Sequence, residues 1–210
     1  LDECKAELSK TNTIQLRDTM SKPFVDHHKP SVSNRLGTVC AHKWTKTFST
    51  MYSKWVPTFN SWMISQIKCK CGKLHHNHEV HTNIQLDIGK QQHVTHCIKE
   101  FARPVYFNTP DGIEWKCDGC NQTQIAKKVS TFWRTADVLI VFLKRFVMTN
   151  TGSYVKLNKR IQFDTQLDMT PYHFHSKLNS KYTLQSVGCH IGNMQSGHYF
   201  SLVRKGSDWH

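Results

Sequence analysis

Two closely spaced cysteine pairs constrain this chain more than any other feature: Cys69-Lys70-Cys71-Gly72 and, far downstream, Cys117-Asp118-Gly119-Cys120. A two-residue gap lets successive thiolates of one turn reach a single tetrahedral ion, so Cys117 and Cys120 read as half of a zinc site. Cys69 and Cys71 supply the other half. Their one-residue gap makes shared ligation harder, and His75, His76, His78 and His81 are near enough in sequence to replace one thiol. A site built this way needs two hairpin tips that meet on a long projection. Phe59, Trp62, Ile64 and Ile67 lead into the first pair and Val80, Ile84, Leu86 and Ile88 lead away, as strands flanking a metal knuckle would. The run His78-Glu79-Val80-His81 is not the metalloprotease motif, which needs two residues between Glu and the second His so that both imidazoles share a helical face.

The chain has eight cysteines and begins LDECKAELSK, which is charged rather than signal-like. Metal ligation in a reducing compartment, the cytosol or nucleus, is therefore the expectation rather than a disulfide framework. No apolar run approaches the roughly 20 residues of a spanning helix, and no membrane partner is expected. With 210 residues and 38% hydrophobic content, the chain can form one domain, or a compact lobe with a protruding subdomain. Lys and Arg total 28 against 15 Asp and Glu, a net +13. The basic residues are scattered, as at Lys127-Lys128, Lys144-Arg145 and Lys159-Arg160, which describes a solvated surface better than a nucleic-acid footprint. The first residue is Leu1 rather than Met, so further chain is expected upstream.

Local patterns add elements. Residues 1 to about 35 are polar and irregular, ending in the loop-like stretch HHKPSVSN. Ala41, Trp44, Phe48, Met51 and Tyr52 recur at helical spacing and predict a buried helix from Cys40 to Tyr52. Val94 to Phe101 predicts a short helix with Cys97 on its inner side. DVLIVFLKRF, 137–146, contains six unbroken apolar residues, Val138 to Leu143, and predicts a core strand covered on both faces. YTLQSVGCHI and HYFSLVRK predict a hairpin around the turn formers from Gly192 to Gly197. His198 then stands at a strand start with one edge open, where a general base can work. Taken alone, that position more often holds a surface residue.

The C-terminal string YTLQSVGCHIGNMQSGHYFSLVRKGSDW resembles the histidine box of ubiquitin-specific proteases, with Tyr182, Leu184, His190, Gly192, Gly197, His198, Tyr199 and Trp209 at the matching positions. WKCDGCNQTQIAKKVSTFWRTADVLIVFLKRF is similar to the family's second knuckle, its A-x-K segment and its L-x-R-F strand, through Cys117, Cys120, Ala126, Lys128, Leu143, Arg145 and Phe146. FDTQLDMTPY resembles the segment between those blocks, and the likeness runs from about Cys40 to Trp209.

This resemblance implies an α+β, papain-like cysteine protease fold of the ubiquitin-specific protease type. Residues 1–210 would be a partial catalytic domain: zinc-bearing fingers at about 58–125, a β-sheet palm at about 130–210, and an incomplete helical lobe before them. Cys69, Cys71, Cys117 and Cys120 would hold a structural Zn2+. His198 would be the catalytic base, ubiquitin or ubiquitinated proteins the partner, and thiol-mediated isopeptide hydrolysis the reaction. Cys40, in GTVCAHKW, lines up with the family's D-A-H-E-F helix rather than its cysteine box, and Cys189 matches no functional position. The nucleophile is thus expected upstream of Leu1, and the residue orienting His198 beyond His210, with Asp208 the nearest acid. A fragment of this kind is expected to be inactive by itself. The alternatives are a noncatalytic ubiquitin-binding scaffold and a zinc-ribbon nucleic-acid binder.

Overall fold

The computed structural model describes residues 32–107, 114–174 and 180–210. Cys4 and the polar stretch before residue 32 lie outside them. The chain divides into two compact units, one drawn from the described parts of Leu1–Asn83 and Val105–Ile140, the other from those of Ile84–Pro104 and Val141–His210.

The first unit opens with helix α1, Val32–Phe48. Leu36, Cys40, Trp44 and Phe48 recur every fourth residue along it and are all buried, so the stripe facing the core begins before Cys40. The helix therefore starts inside the stretch that reads as a loop in sequence, and it ends before Met51, which is 64% exposed. Trp44 anchors an aromatic cluster, 4.6 Å from Phe48 and 5.5 Å from Trp62 between ring centroids, with the Arg134 guanidinium 5.6 Å over its ring. A short helix α2, Trp55–Phe59, leads into strand β1, Ser61–Lys68, which returns as β2, Leu74–His81. These pair antiparallel from Ser61↔His81 to Lys68↔Leu74, so the first cysteine pair sits at the tip of one long hairpin. The flanking strands predicted around that pair are present.

Later strands complete the sheet. After β3, Ile84–Asp87, and helix α3, Val94–Phe101, both in the second unit, come β4, Val105–Phe107, and β5, Ala126–Arg134. The sheet order is β2-β1-β5-β4, with every pair antiparallel. The first five residues of β1 are buried whichever way they point, whereas Lys68 at the tip is exposed. The hairpin is thus rooted in the core and projects from it. At its root the Trp62 indole donates to His78 Nδ1 at 3.3 Å. Burial, reinforced by the Lys43 ammonium and His76, pushes His78 down to about 4, so it stays neutral at physiological pH.

In the second unit α3 starts where His93 Nδ1 accepts the Thr95 amide, and it buries Cys97 and Ile98 as its pattern predicts. β3 pairs in parallel with β6, Val141–Lys144. The two-sided core strand predicted over 137–146 is not formed. Val138, Ile140 and Phe142 are 47%, 45% and 51% exposed. The Asp137 and Val138 amides bond to the carbonyls of Pro57 and Thr58 instead of a strand, and among the described residues only β3 pairs with β6. An unbroken apolar run reports that a segment can be covered, not by what. Short antiparallel pairs follow: β7, Phe146–Met148, with β8, Tyr154–Lys156, and β9, Gln166–Asp168, with β10, Lys181–Thr183. The last sheet joins β11, Ser186–Gly192, β12, Gly197–Lys205, and β13, Asp208–Trp209. The architecture is α+β, and among the described residues no helix is long and apolar enough to cross a membrane.

Candidate metal centre and histidine hairpin

Cys69 directly follows β1, and a tight turn brings Cys71 back beside it. The Cys69 amide bonds to the Lys73 carbonyl at 2.9 Å, and Gly72 occupies the left-handed region at φ +87. The second knuckle closes similarly, with the Asn121 amide on the Cys117 carbonyl at 2.8 Å and Asn121 itself left-handed at φ 57. The two tips meet. Cys69 and Cys120 sulfurs are 3.6 Å apart, those of Cys71 and Cys117 are 3.9 Å apart, and all four lie within 4.8 Å of one another. Four sulfurs about 2.3 Å from a tetrahedral zinc are separated by about 3.8 Å along each edge. The one-residue gap of Cys69-Lys70-Cys71 therefore leaves both sulfurs placed to reach one ion.

The thiols behave as one charge-sharing group. Burial raises Cys69, but the Cys71 amide and the neighbouring thiols outweigh it and bring it down to about 6. Its partner Cys71 is pushed up to about 12, chiefly by its hydrogen bond with Cys69. Protons kept on some sulfurs so that others ionise are what four crowded thiols require without a cation, and a divalent ion removes that conflict. The donor set fits structural zinc: four sulfurs and no open position. Of the four histidines proposed as substitutes, His75 approaches closest, with Nε2 3.3 Å from the Cys117 sulfur and Nδ1 3.2 Å from Asp118. His78 instead serves Trp62 at the hairpin root.

His198 lies in the second unit, on β12 opposite Ile191 of β11, with an exposed side chain. Its turn is tightly specified. Asn193 Oδ1 accepts the amides of Gln195 and Ser196 at 2.8 and 2.9 Å, and the Lys156 ammonium donates to the carbonyls of His190 and Gly192 at 3.0 and 2.8 Å. The His190 ring packs 4.5 Å from Tyr199 and its edge lies against Gly197, where an added Cβ would collide with Nε2. Gly197→Ala is accordingly expected to cost about 1–3 kcal/mol through overpacking and to displace the neighbouring His198. Chemical denaturation together with the His198 NMR shifts checks this; an unaltered turn would show that His190 yields freely.

Other candidates for the catalytic set are placed less favourably. Asp208 pairs with Lys205, which lies seven positions along β12 from His198, or about 24 Å in an extended strand. It does not orient this imidazole. Cys40 is fully buried in α1, and that burial pushes its thiol up to about 11, opposite to what a nucleophile needs. Cys189 shares the His198 face of the hairpin, two positions along, but is half-buried opposite Phe200.

The profile of the family described as ubiquitin carboxyl-terminal hydrolase matches residues 2–210. Ubiquitin carboxyl-terminal hydrolase 4 of the yeast Vanderwaltozyma polyspora is 28% identical over 80% of this chain and 21% of its own length. A probable ubiquitin carboxyl-terminal hydrolase of Acanthamoeba polyphaga mimivirus is 25% identical over 100% of this chain and 47% of its own. Human ubiquitin carboxyl-terminal hydrolase 17-like protein 5 is 34% identical over 70% and 27%. The chain thus spans less than half the length of these relatives. Among solved structures, a chain of the Ubp8-containing SAGA DUB module bound to monoubiquitin superposes with a TM-score of 0.67 at 24% identity, covering 80% of this chain and 41% of that one. The same module bound to ubiquitin aldehyde gives 0.64 at 24% identity, over 80% and 42%. With the family profile spanning the cysteine knuckles and the histidine hairpin together, the chain belongs to the ubiquitin carboxyl-terminal hydrolase family.

Proposed function

We propose that this chain is the histidine-bearing part of a cysteine protease that hydrolyses ubiquitin isopeptide bonds. The observation carrying this is His198, exposed on a rigid strand beside a turn that Gly197, His190 and Lys156 hold, in a chain of the hydrolase family. His198 takes the proton of a cysteine thiol. The thiolate attacks the isopeptide carbonyl, the lysine amine leaves with the proton that His198 returns, and water then cleaves the resulting thioester. Among the described residues Cys40 is buried and Cys189 half-buried, so neither supplies the thiol, and Asp208 does not orient His198; both partners are sought elsewhere in the protein. Cys69, Cys71, Cys117 and Cys120 hold a structural zinc at the tip of the fingers, the sheet order β2-β1-β5-β4 being the fingers' frame and the strands after β6 the palm. The described cysteines are all free, in keeping with a cytosolic or nuclear setting.

Ubiquitin is the ligand this reading assigns, in keeping with the hydrolase family to which the chain belongs. Titration of labelled ubiquitin into the protein is expected to saturate, with affinity weakened by whatever ordering of the chain binding demands. Absence of binding at high micromolar ubiquitin would reject the proposal. The lack of a well-placed thiol among the described residues favours one second reading, a ubiquitin-binding scaffold without catalysis. That reading predicts the same titration but no activity in any longer polypeptide of the gene.

A further inference from the structure

The four thiols of the metal centre do not share their surroundings equally. Zinc with four thiolates carries a net double negative charge, and such sulfurs are stabilised by N–H groups that point at them. One side chain does so here.

Gln124 is half-buried, and its carbonyl oxygen accepts the Lys70 amide at 3.1 Å. Because a backbone amide can only donate, this bond fixes the side chain the right way round. Its NH2 group is then left facing the sulfurs, 2.7 Å from Cys69 and 3.9 Å from Cys120.

His75 approaches from the other side. Its Nε2 lies 3.3 Å from the Cys117 sulfur, its Nδ1 is held by Asp118 at 3.2 Å, and its ring stands edge-on to Trp115 at 5.2 Å. Asp118 is itself anchored by the Lys73 ammonium at 2.9 Å. The four sulfurs already complete a tetrahedron, and His75 groups with Cys117 and Asp118 rather than with the other three thiols. No ligand position is left for it, and because the Asp118 carboxylate can only accept, a neutral His75 carries its proton on Nδ1 and turns an accepting Nε2 toward Cys117 rather than a donor.

We propose that Gln124 is a positioning residue of the metal centre, donating hydrogen bonds to the thiolates of Cys69 and Cys120 without binding the ion. The Lys70 amide aims it. The exposed Cys71 receives no such donor from Gln124, which leaves it the sulfur most open to electrophiles. The inference rests on the zinc reading above.

The test uses the full chain loaded with zinc, and measures metal content, zinc affinity by chelator competition, and the rate at which N-ethylmaleimide releases the ion. Gln124→Met keeps the bulk of the side chain but removes its donor. It is expected to retain the ion when zinc is in excess, to bind it on the order of 10- to 100-fold more weakly, and to release it faster. Gln124→Glu should be worse than Gln124→Met, because a carboxylate would face thiolates. Unchanged affinity and release rates in Gln124→Met would overturn the inference while leaving the zinc site intact. Wild-type protein holding no zinc would sink the zinc reading itself, and the inference with it.

Discussion

Cys117→Ser is expected to lower bound zinc from about one ion per chain to none, and to melt the far ends of β1, β2 and β5, whereas His78→Ala leaves the zinc content unchanged. Cys117 is buried at the meeting point of the two knuckles, 3.9 Å from the Cys71 sulfur and in contact with His75. Little else holds these tips, for the buried residues of β1 are at its root. Binding of a structural zinc contributes on the order of 10 kcal/mol to the folding of small zinc modules, far more than local strand pairing. Hydrogen exchange should therefore accelerate from Gln66 to Leu74 while Trp62 and Ile64, packed in the core, stay protected. Elemental analysis of the reduced wild-type protein is the first measurement. A folded wild type without metal, or equal losses in the Cys117 and His78 variants, would contradict the assignment.

The second large effect concerns activity. Residues 1–210 alone are expected to leave a ubiquitin-linked fluorophore intact, while a longer polypeptide extended at both ends cleaves it and loses that activity in His198→Ala. A base without a thiol has nothing to activate, and an imidazole without an orienting partner is poorly held in the tautomer needed. Because such residues act as a unit, losing one costs almost as much as losing all, on the order of 10⁶-fold by analogy with serine enzymes. The measurement is fluorophore release with and without His198→Ala in both polypeptides. Turnover by residues 1–210 that Cys189→Ser abolishes would place the nucleophile on β11 instead. An inert longer polypeptide that still binds ubiquitin would favour the scaffold.

What could be read from residues alone was governed by local physics. The C-x-x-C spacing of Cys117 and Cys120, the glycines and Asn193 of the His198 turn, and the apolar periodicity of α3 each specify a conformation within a few residues, and each is present. Helix α1 was only half legible, because its core-facing stripe starts at Leu36, inside a stretch whose polar neighbours look like a loop. Whether Cys71 could join Cys69 on one ion, or would yield to a histidine, was undecidable from a one-residue gap. The left-handed turn at Gly72 and the approach of a knuckle distant in sequence bring all four sulfurs within 4.8 Å of one another, close enough to hold one ion. Gln124 carried no signal at all, since nothing in the string QTQI says that the Lys70 amide will hold its carbonyl and turn its NH2 toward sulfur. The apolar run Val138–Leu143 was misread for the related reason that hydrophobicity records a demand for cover but not its source. Metal ligands, turns and helical stripes are short-range and written in spacing, whereas the partners that complete them come from residues remote in the chain, and only the folded structure brings those together.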